Sequence, residues 1–80
     1  RKKEPGRFVG AKFIPNRIFR GKIVEELRDA ERGLGFSELG KRVCLDWKRS
    51  EHERWLKEIL VRLRKDQLIE TRKNVYILKP

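Results

Sequence analysis

Residues 50–80 read SEHERWLKEILVRLRKDQLIETRKNVYILKP, and the fold turns on how this stretch is read. Leu56, Ile59, Leu60 and Leu63 recur at helical spacing and share one stripe of an amphipathic helix. Ser50 and Glu53 match the S-x-x-E capping box, so this helix is expected over residues 50–66. His52 falls near one end of the stripe and Trp55 on its flank, while Arg54, Lys57, Glu58, Val61 and Lys65 face the other way. The period then changes. Leu68 and Ile69 run into Glu70 and Thr71, Arg72-Lys73-Asn74 makes a basic turn, and Val75-Tyr76-Ile77-Leu78 are strong strand formers. Strands are expected over 67–71 and 75–79.

Upstream, residues 16–32 read as a first helix. Phe19, Ile23, Leu27 and Ala30 fall on one face, with Val24 at its edge. Asn16 is the expected N-cap and Gly33 the C-terminal stop. Gly21 inside this helix costs roughly 1 kcal/mol relative to Ala, which suggests a close backbone approach to an unidentified neighbour. After Gly33-Leu34-Gly35-Phe36, Ser37 is expected to cap a short helix over 37–42, with Phe36 and Leu39 inward and Lys41 and Arg42 at the end the helix dipole favours. Residues 43–47 read equally as a short extended piece or a turn. Residues 1–15 hold Pro and Gly without a sustained period and are expected to form a basic lead-in arm or linker. Three helices and a terminal hairpin make a mainly α fold with a small antiparallel β-hairpin, a winged helix-turn-helix, over residues 16–80.

Composition points to the partner. The chain has 80 residues, enough for one small domain, and a formal net charge of +10 with 42% charged residues. Such a balance calls for a polyanion: nucleic acid first, an anionic membrane surface second. No apolar run approaches the roughly 18–20 residues of a spanning helix, and the basic start is not followed by the apolar core of a signal peptide. The lone Cys44 cannot form an internal disulfide, and with one histidine it builds no metal site, so it reads as a core residue of a protein in a reducing interior. The expected location is cytoplasmic and nucleoid-associated, with no membrane and no small-molecule ligand. Met is absent even from position 1, which predicts that the chain is a piece of something longer.

No catalytic constellation is visible, so the chain itself is not expected to be an enzyme. Ser37 and Ser50 are accounted for as caps, Glu51 and Glu53 diverge from His52 around the helix, and Gly33-Leu34-Gly35 is too short for a phosphate loop. The expected contacts to double-stranded DNA are Arg17, Arg20 and Lys22 from the first helix, Arg49, Arg54 and Lys57 from the third, and Arg72 and Lys73 from the wing. Glu51, Glu53 and Glu58 share the third helix and repel phosphate, so phosphate contact with little sequence readout is expected. Trp47 and Trp55 are expected to fill the core. Two rival functions are a protein–protein or intramolecular docking module and the DNA-binding domain of a transcription regulator.

Asn16-Arg17-Ile18-Phe19-Arg20-Gly21-Lys22-Ile23-Val24, with Phe8 and Gly10 upstream, resembles the segment that ends the catalytic region of A/G-specific adenine DNA glycosylases, in the helix-hairpin-helix, endonuclease III-like superfamily. Leu39-Gly40-Lys41-Arg42-Val43, Glu53-Arg54-Trp55-Leu56 and Asp66-Gln67-Leu68-Ile69 resemble the C-terminal extension of archaeal members. The resemblance implies base-excision repair, with this chain a winged-helix appendage that can also dock on its parent catalytic domain. It implies that the catalytic Asp and the four iron–sulfur cysteines lie upstream, so no cofactor is expected within the chain.

Overall fold

In the computed structural model, which describes residues 5–79, the chain runs β1 (Gly6–Val9), β2 (Lys12–Pro15), α1 (Asn16–Asp29), α2 (Phe36–Val43), α3 (Arg49–Lys65), β3 (Ile69–Arg72) and β4 (Val75–Leu78). About half of it is helical, and the strands form two separate antiparallel hairpins. The helical stripes read from the sequence become the core. Phe19, Ile23 and Leu27 of α1 and Leu56, Ile59, Leu60 and Leu63 of α3 are buried, joined by Leu39 and Val43 of α2, Cys44, Leu34 and Ile69. No charged or polar side chain among the described residues is fully buried. Trp47 and Trp55 are partly buried against this cluster. Trp55 meets the Phe19 ring edge-on at 4.7 Å.

The linker between α1 and α2 is tied to the C-terminal hairpin. Leu34 and Tyr76 exchange both backbone hydrogen bonds, at 3.0 and 2.8 Å. Gly33 beside them has φ +83, and a Cβ there would stand 2.6 Å from Ile77 Cγ2 and Tyr76 O. Only glycine fits both the conformation and the space.

The N-terminal segment departs from the expected irregular arm. Gly6–Val9 and Lys12–Pro15 pair in register, Phe8 opposite Phe13 and Arg7 opposite Ile14, through a two-residue turn in which Gly10 supplies φ +64. Alternation sorts the faces: Val9 and Ile14 pack against the core, while Phe8 and Phe13 meet edge-on on the outer face. Pro5 and Pro15 sit at the ends of the hairpin, where a missing N–H is harmless, and the Asn16 N–H donates to Pro5 O at 2.8 Å. Residues 1–4, which carry half of the expected arm's net charge, lie outside the described residues.

The three expected side-chain caps are also corrected. Pro15, Gly35 and Lys48 occupy the N-cap positions, and none makes a side-chain cap. Asn16 lies inside α1, and its Oδ1 accepts from Trp55 Nε1 at 3.0 Å. Ser37 lies inside α2, and its Oγ accepts from Arg49 Nη1 at 3.0 Å. Ser50 is already helical; His52 Nδ1 instead accepts the Lys48 backbone N–H at 3.0 Å. A side chain one turn in still satisfies the N-cap amide, but it is histidine rather than Glu53.

Element ends shift for local reasons. α1 stops at Asp29, because Glu31 and Arg32 form a turn that leads to Gly33. At the end of α3, Gln67 takes φ +65, Leu68 N–H donates to Leu63 O and Gln67 N–H to Arg64 O, each at 3.0 Å. This Schellman closure occupies 66–68, so β3 begins at Ile69 rather than at 67. The stretch left open in the sequence resolves as a buried Cys44 followed by a turn at Leu45 and Asp46. No helix of the described residues is long and apolar enough to cross a membrane.

Candidate nucleic-acid interface

The eight cations expected to meet DNA do not form one surface. One group gathers around Phe36, at the start of α2. Arg49 Cζ lies 5.5 Å and Lys57 Nζ 6.0 Å from its ring centroid, within cation–π range. Trp47 holds the same ring edge-on at 5.9 Å. Phe36 also lines a groove of about 450 Å³ with Thr71, Lys73, Asn74 and Tyr76 of the C-terminal hairpin. The N-terminal half of α3 and the tip of the β3–β4 hairpin therefore border one concave, cationic and partly aromatic face. Lys73, at the tip, has φ +46, a left-handed conformation that residues other than Gly, Asn and Asp rarely adopt.

The acidic residues of α3 are engaged on the same face. Glu53 lies 3.6 Å from Arg49 and 3.3 Å from Lys57. Arg54 is 92% exposed and faces Glu58 at 3.6 Å, further along the outer side of the helix. Arg72 lies 3.3 Å from Glu70. These are exposed pairs, weak and screened by salt. A phosphate can therefore compete for each cation, but Glu53 and Glu58 lower the net attraction.

Arg17 and Arg20 lie elsewhere, along α1. With Gly21, Val24, Glu25, Arg28, Leu63 and Leu68 they line a trough of about 330 Å³. Arg20 Nη2 is 2.6 Å from Asp66 Oδ2, and Arg20 also borders a smaller cleft with Arg62. Lys22 lines neither the groove at Phe36 nor this trough, and its charge acts on the Cys44 thiol. Arg17 and Arg20 therefore border a trough that shares no lining residue with the Phe36 groove.

Arg7 belongs to neither. It falls in the expected basic lead-in arm, yet its side chain is only 13% exposed. Its two Nη atoms donate to Asp46 Oδ1 and Oδ2 at 2.9 and 2.7 Å. Its Cζ lies 5.1 Å over the Trp55 ring, Nη1 is 3.6 Å from Cys44 Sγ, and Nη2 is 2.6 Å from His52 Nε2. Arg7 thus bolts the N-terminal hairpin to the turn between α2 and α3. The hydrogen bonds from Arg7 hold the Asp46 carboxyl below the usual carboxylate range, and the same contact raises the Arg7 guanidinium. Burial pushes the Cys44 thiol up to about 11.

Two site features escaped the sequence reading. Phe36 packs against the core as its inward reading expects, and its half-buried ring also organises Arg49 and Lys57; a lone aromatic ahead of a helix carries no signal of that second role. Arg28 and Arg62 join Arg17 and Arg20, because α1 and the C-terminal half of α3 pack side by side. Their helical spacing from Leu27 and Leu63 marked them only as solvent-facing. Among the described residues no group of three or more His, Cys, Asp or Glu side chains could hold a metal ion. Cations flanking an aromatic ring can bind phosphate and shelter a base or sugar, chemistry suited to a nucleic-acid backbone. Compared with known proteins, the chain matches no protein-family model, no curated protein and no solved structure.

Proposed function

We propose that this chain is a winged-helix DNA-binding domain that assists a base-excision-repair glycosylase of the endonuclease III-like superfamily. It would grip duplex phosphates through the Phe36 face with little sequence readout. The order of three helices and a terminal hairpin, with Leu34 paired to Tyr76 as a short third strand, supports the winged-helix reading. The repair assignment rests on the sequence resemblance; the parent's catalytic Asp and iron–sulfur cysteines would precede Arg1.

One observation carries the DNA reading. Lys73 stands in a left-handed conformation at the hairpin tip, where Gly or Asn would be more stable, and lines the groove with Phe36, whose ring Arg49 and Lys57 approach. Its side chain makes no ion pair or hydrogen bond among the described residues. The two-residue β3–β4 turn itself calls for the positive φ, as the β1–β2 turn does at Gly10, so what supports an external contact is a lysine in place of Gly or Asn there, with its side chain unengaged among the described residues.

Lys73→Gly separates the two roles. It should stabilise the domain by about 0.5–1 kcal/mol through relief of the left-handed strain. It should also weaken duplex binding about five-fold and lower the log–log salt slope by about 0.9, the share of one phosphate. Fluorescence anisotropy with a labelled duplex at several salt concentrations measures both. Unchanged affinity removes the hairpin tip from the interface. Absence of binding near 0.1 M salt rejects the DNA reading, and a sharp preference for one sequence replaces it with a regulator.

A further inference from the structure

We propose that the groove between Phe36 and the tip of the β3–β4 hairpin receives a single unpaired nucleotide, so that the domain prefers DNA carrying an unpaired base to a perfect duplex. This rests on the reading of the Phe36 face as a DNA contact and names what that contact selects.

The hairpin's own alternation builds the groove. Ile69 pairs with Leu78 and Thr71 with Tyr76, so these four side chains share one face of the hairpin. Ile69 is buried and Leu78 packs against the core. Toward the tip that face runs out from over the core: Thr71 is exposed and Tyr76 half-buried, and with Phe36 they line a groove of about 450 Å³. The paired backbones of Leu34 and Tyr76 fix the hairpin against the linker that leads into Phe36. The two aromatic walls therefore stand on one hydrogen-bonded frame, and the space between them is preformed.

The lining holds what a nucleotide needs, and the fold does not use it. Phe36 and Tyr76 offer ring surface, Asn74 an amide with both donor and acceptor, Lys73 an ammonium, and Thr71 and Tyr76 hydroxyls. The side chains of Thr71, Lys73, Asn74 and Tyr76 make no hydrogen bond or ion pair among the described residues. Arg49 and Lys57 are held by Glu53, and the groove does not depend on them.

The combination selects the occupant. A base stacks on aromatic rings, an amide reads a base edge, and an ammonium meets the phosphate of the same nucleotide. The net charge of +10 brings a polyanion to the face. An acidic peptide would find one cation in the lining, Lys73, and no use for the rings. A base inside a perfect duplex is covered by its neighbours, so only one that has left the stack reaches Phe36 and Tyr76. The groove's volume lies within the range of roughly 300–1,000 Å³ usual for small-ligand sites.

Fluorescence anisotropy tests this with three labelled duplexes: one fully paired, one with a single extra adenosine, and one with an extra abasic residue at that place. The adenosine duplex should bind about ten-fold more tightly than the other two. Phe36→Leu, which keeps an apolar side chain against the core, should bring that ratio to about one. Asn74→Ala should lower it about five-fold. Asn74 is exposed and its φ is not positive, so alanine fits there, and this variant decides the matter even if Phe36→Leu fails to fold. In the ¹⁵N-labelled chain the side-chain amide of Asn74 and the backbone amides of Phe36, Thr71 and Tyr76 should shift further with the adenosine duplex than with the paired one. Equal affinity for all three duplexes overturns the proposal and leaves the duplex reading in place. An equal gain from the abasic residue also overturns it, since that gain reports a flexible strand rather than a captured base. So does a ratio that Asn74→Ala leaves unmoved, or shifts that miss the groove. Failure to bind any of the three near about 0.1 M salt rejects this proposal and the DNA reading together.

Discussion

Replacing Arg7 by alanine should loosen one end of the molecule more than its place in a short N-terminal hairpin suggests. Three contributions disappear together. The first is the bidentate pair with Asp46, at 2.9 and 2.7 Å. Asp46 is 41% exposed and regains water when the guanidinium leaves, so this pair is discounted to about 0.5–1 kcal/mol. The second is the cation over Trp55 at 5.1 Å, worth about 0.5–1 kcal/mol at a partly exposed site. The third is the packing of the buried arginine stem, which adds about 0.5 kcal/mol. The sum is about 2 kcal/mol, or roughly 10 °C in melting temperature for a domain of this size. Urea denaturation followed by Trp fluorescence measures it, and hydrogen exchange should show the β1–β2 amides losing protection first.

The pH dependence is the sharper arm of this prediction. Asp46 has a depressed folded pKa, so its contribution is present above the unfolded carboxylate value of about 3.9 and is lost as pH falls through the folded value. The penalty of Arg7→Ala should therefore be full from pH 5 to 7 and shrink as pH drops below about 4. Arg7 itself is raised above its ordinary value, and its contribution would be lost only at alkaline pH beyond the working range. A double-mutant cycle with Asp46→Ala should return a coupling of about 0.5–1 kcal/mol at pH 7. A penalty that is the same at pH 3 and pH 7, or a coupling near zero, refutes the view that Arg7 acts through Asp46.

Two further outcomes test the packing around this node. Cys44, raised to about 11 from its ordinary 9.0, should react with a thiol reagent at pH 8 about 100-fold more slowly than an exposed cysteine, and at the normal rate once urea unfolds the chain; rapid labelling of the native protein would contradict its burial. Gly40→Ala drives a methyl to within 2.5 Å of the Trp47 ring, so the ring should swing out, red-shifting its fluorescence and costing about 2–3 kcal/mol; an unchanged spectrum would show that the ring is not seated on Gly40.

The helical core was legible because its signal is periodic and redundant. Phe19, Ile23 and Leu27, or Leu56, Ile59, Leu60 and Leu63, each repeat one instruction several times, and every one of them is buried. The C-terminal hairpin was legible from its aliphatic run, with its start displaced because the end of α3 consumed two residues in a left-handed closure at Gln67. The N-terminal hairpin was missed for a physical reason. Its strands have four residues each, the alternation of Arg7 and Val9 against Phe8 spans barely one period, and Pro and Gly dominate a stretch that short. Gly10 between Val9 and Ala11 was the available turn signal. The caps failed differently: Asn16, Ser37 and Ser50 are the right residue types, but each lies one or two positions inside its helix. Asn16 and Ser37 take partners 39 and 12 residues away that no local pattern encodes. For the site, the residue types were legible and their grouping was not, since grouping depends on which helices lie side by side.

Three positions break a local rule, and comparing them locates function better than charge alone does. Gln67 adopts φ +65 without being glycine, yet it has an internal reason: its side-chain oxygen accepts from Lys79 Nζ, which ties the end of α3 to the end of β4. Lys73 adopts φ +46 and has no such partner among the described residues. Gly21 weakens α1 with no close packing to explain it. A sequence consistent with its fold at most positions is expected to depart from local preference where an external requirement overrides it. Lysine at 73 and glycine at 21 stand on different surfaces, one at the Phe36 groove and one in the α1 trough. The two-residue turn imposes a positive φ at position 73, so a chain selected only for stability would carry Gly or Asn there and alanine at 21. Both choices lower the stability of the free domain, at sites that share no residue. Lys73→Gly and Gly21→Ala, combined, should therefore yield a domain that is more stable in urea denaturation, with the loss in duplex affinity by fluorescence anisotropy coming from Lys73.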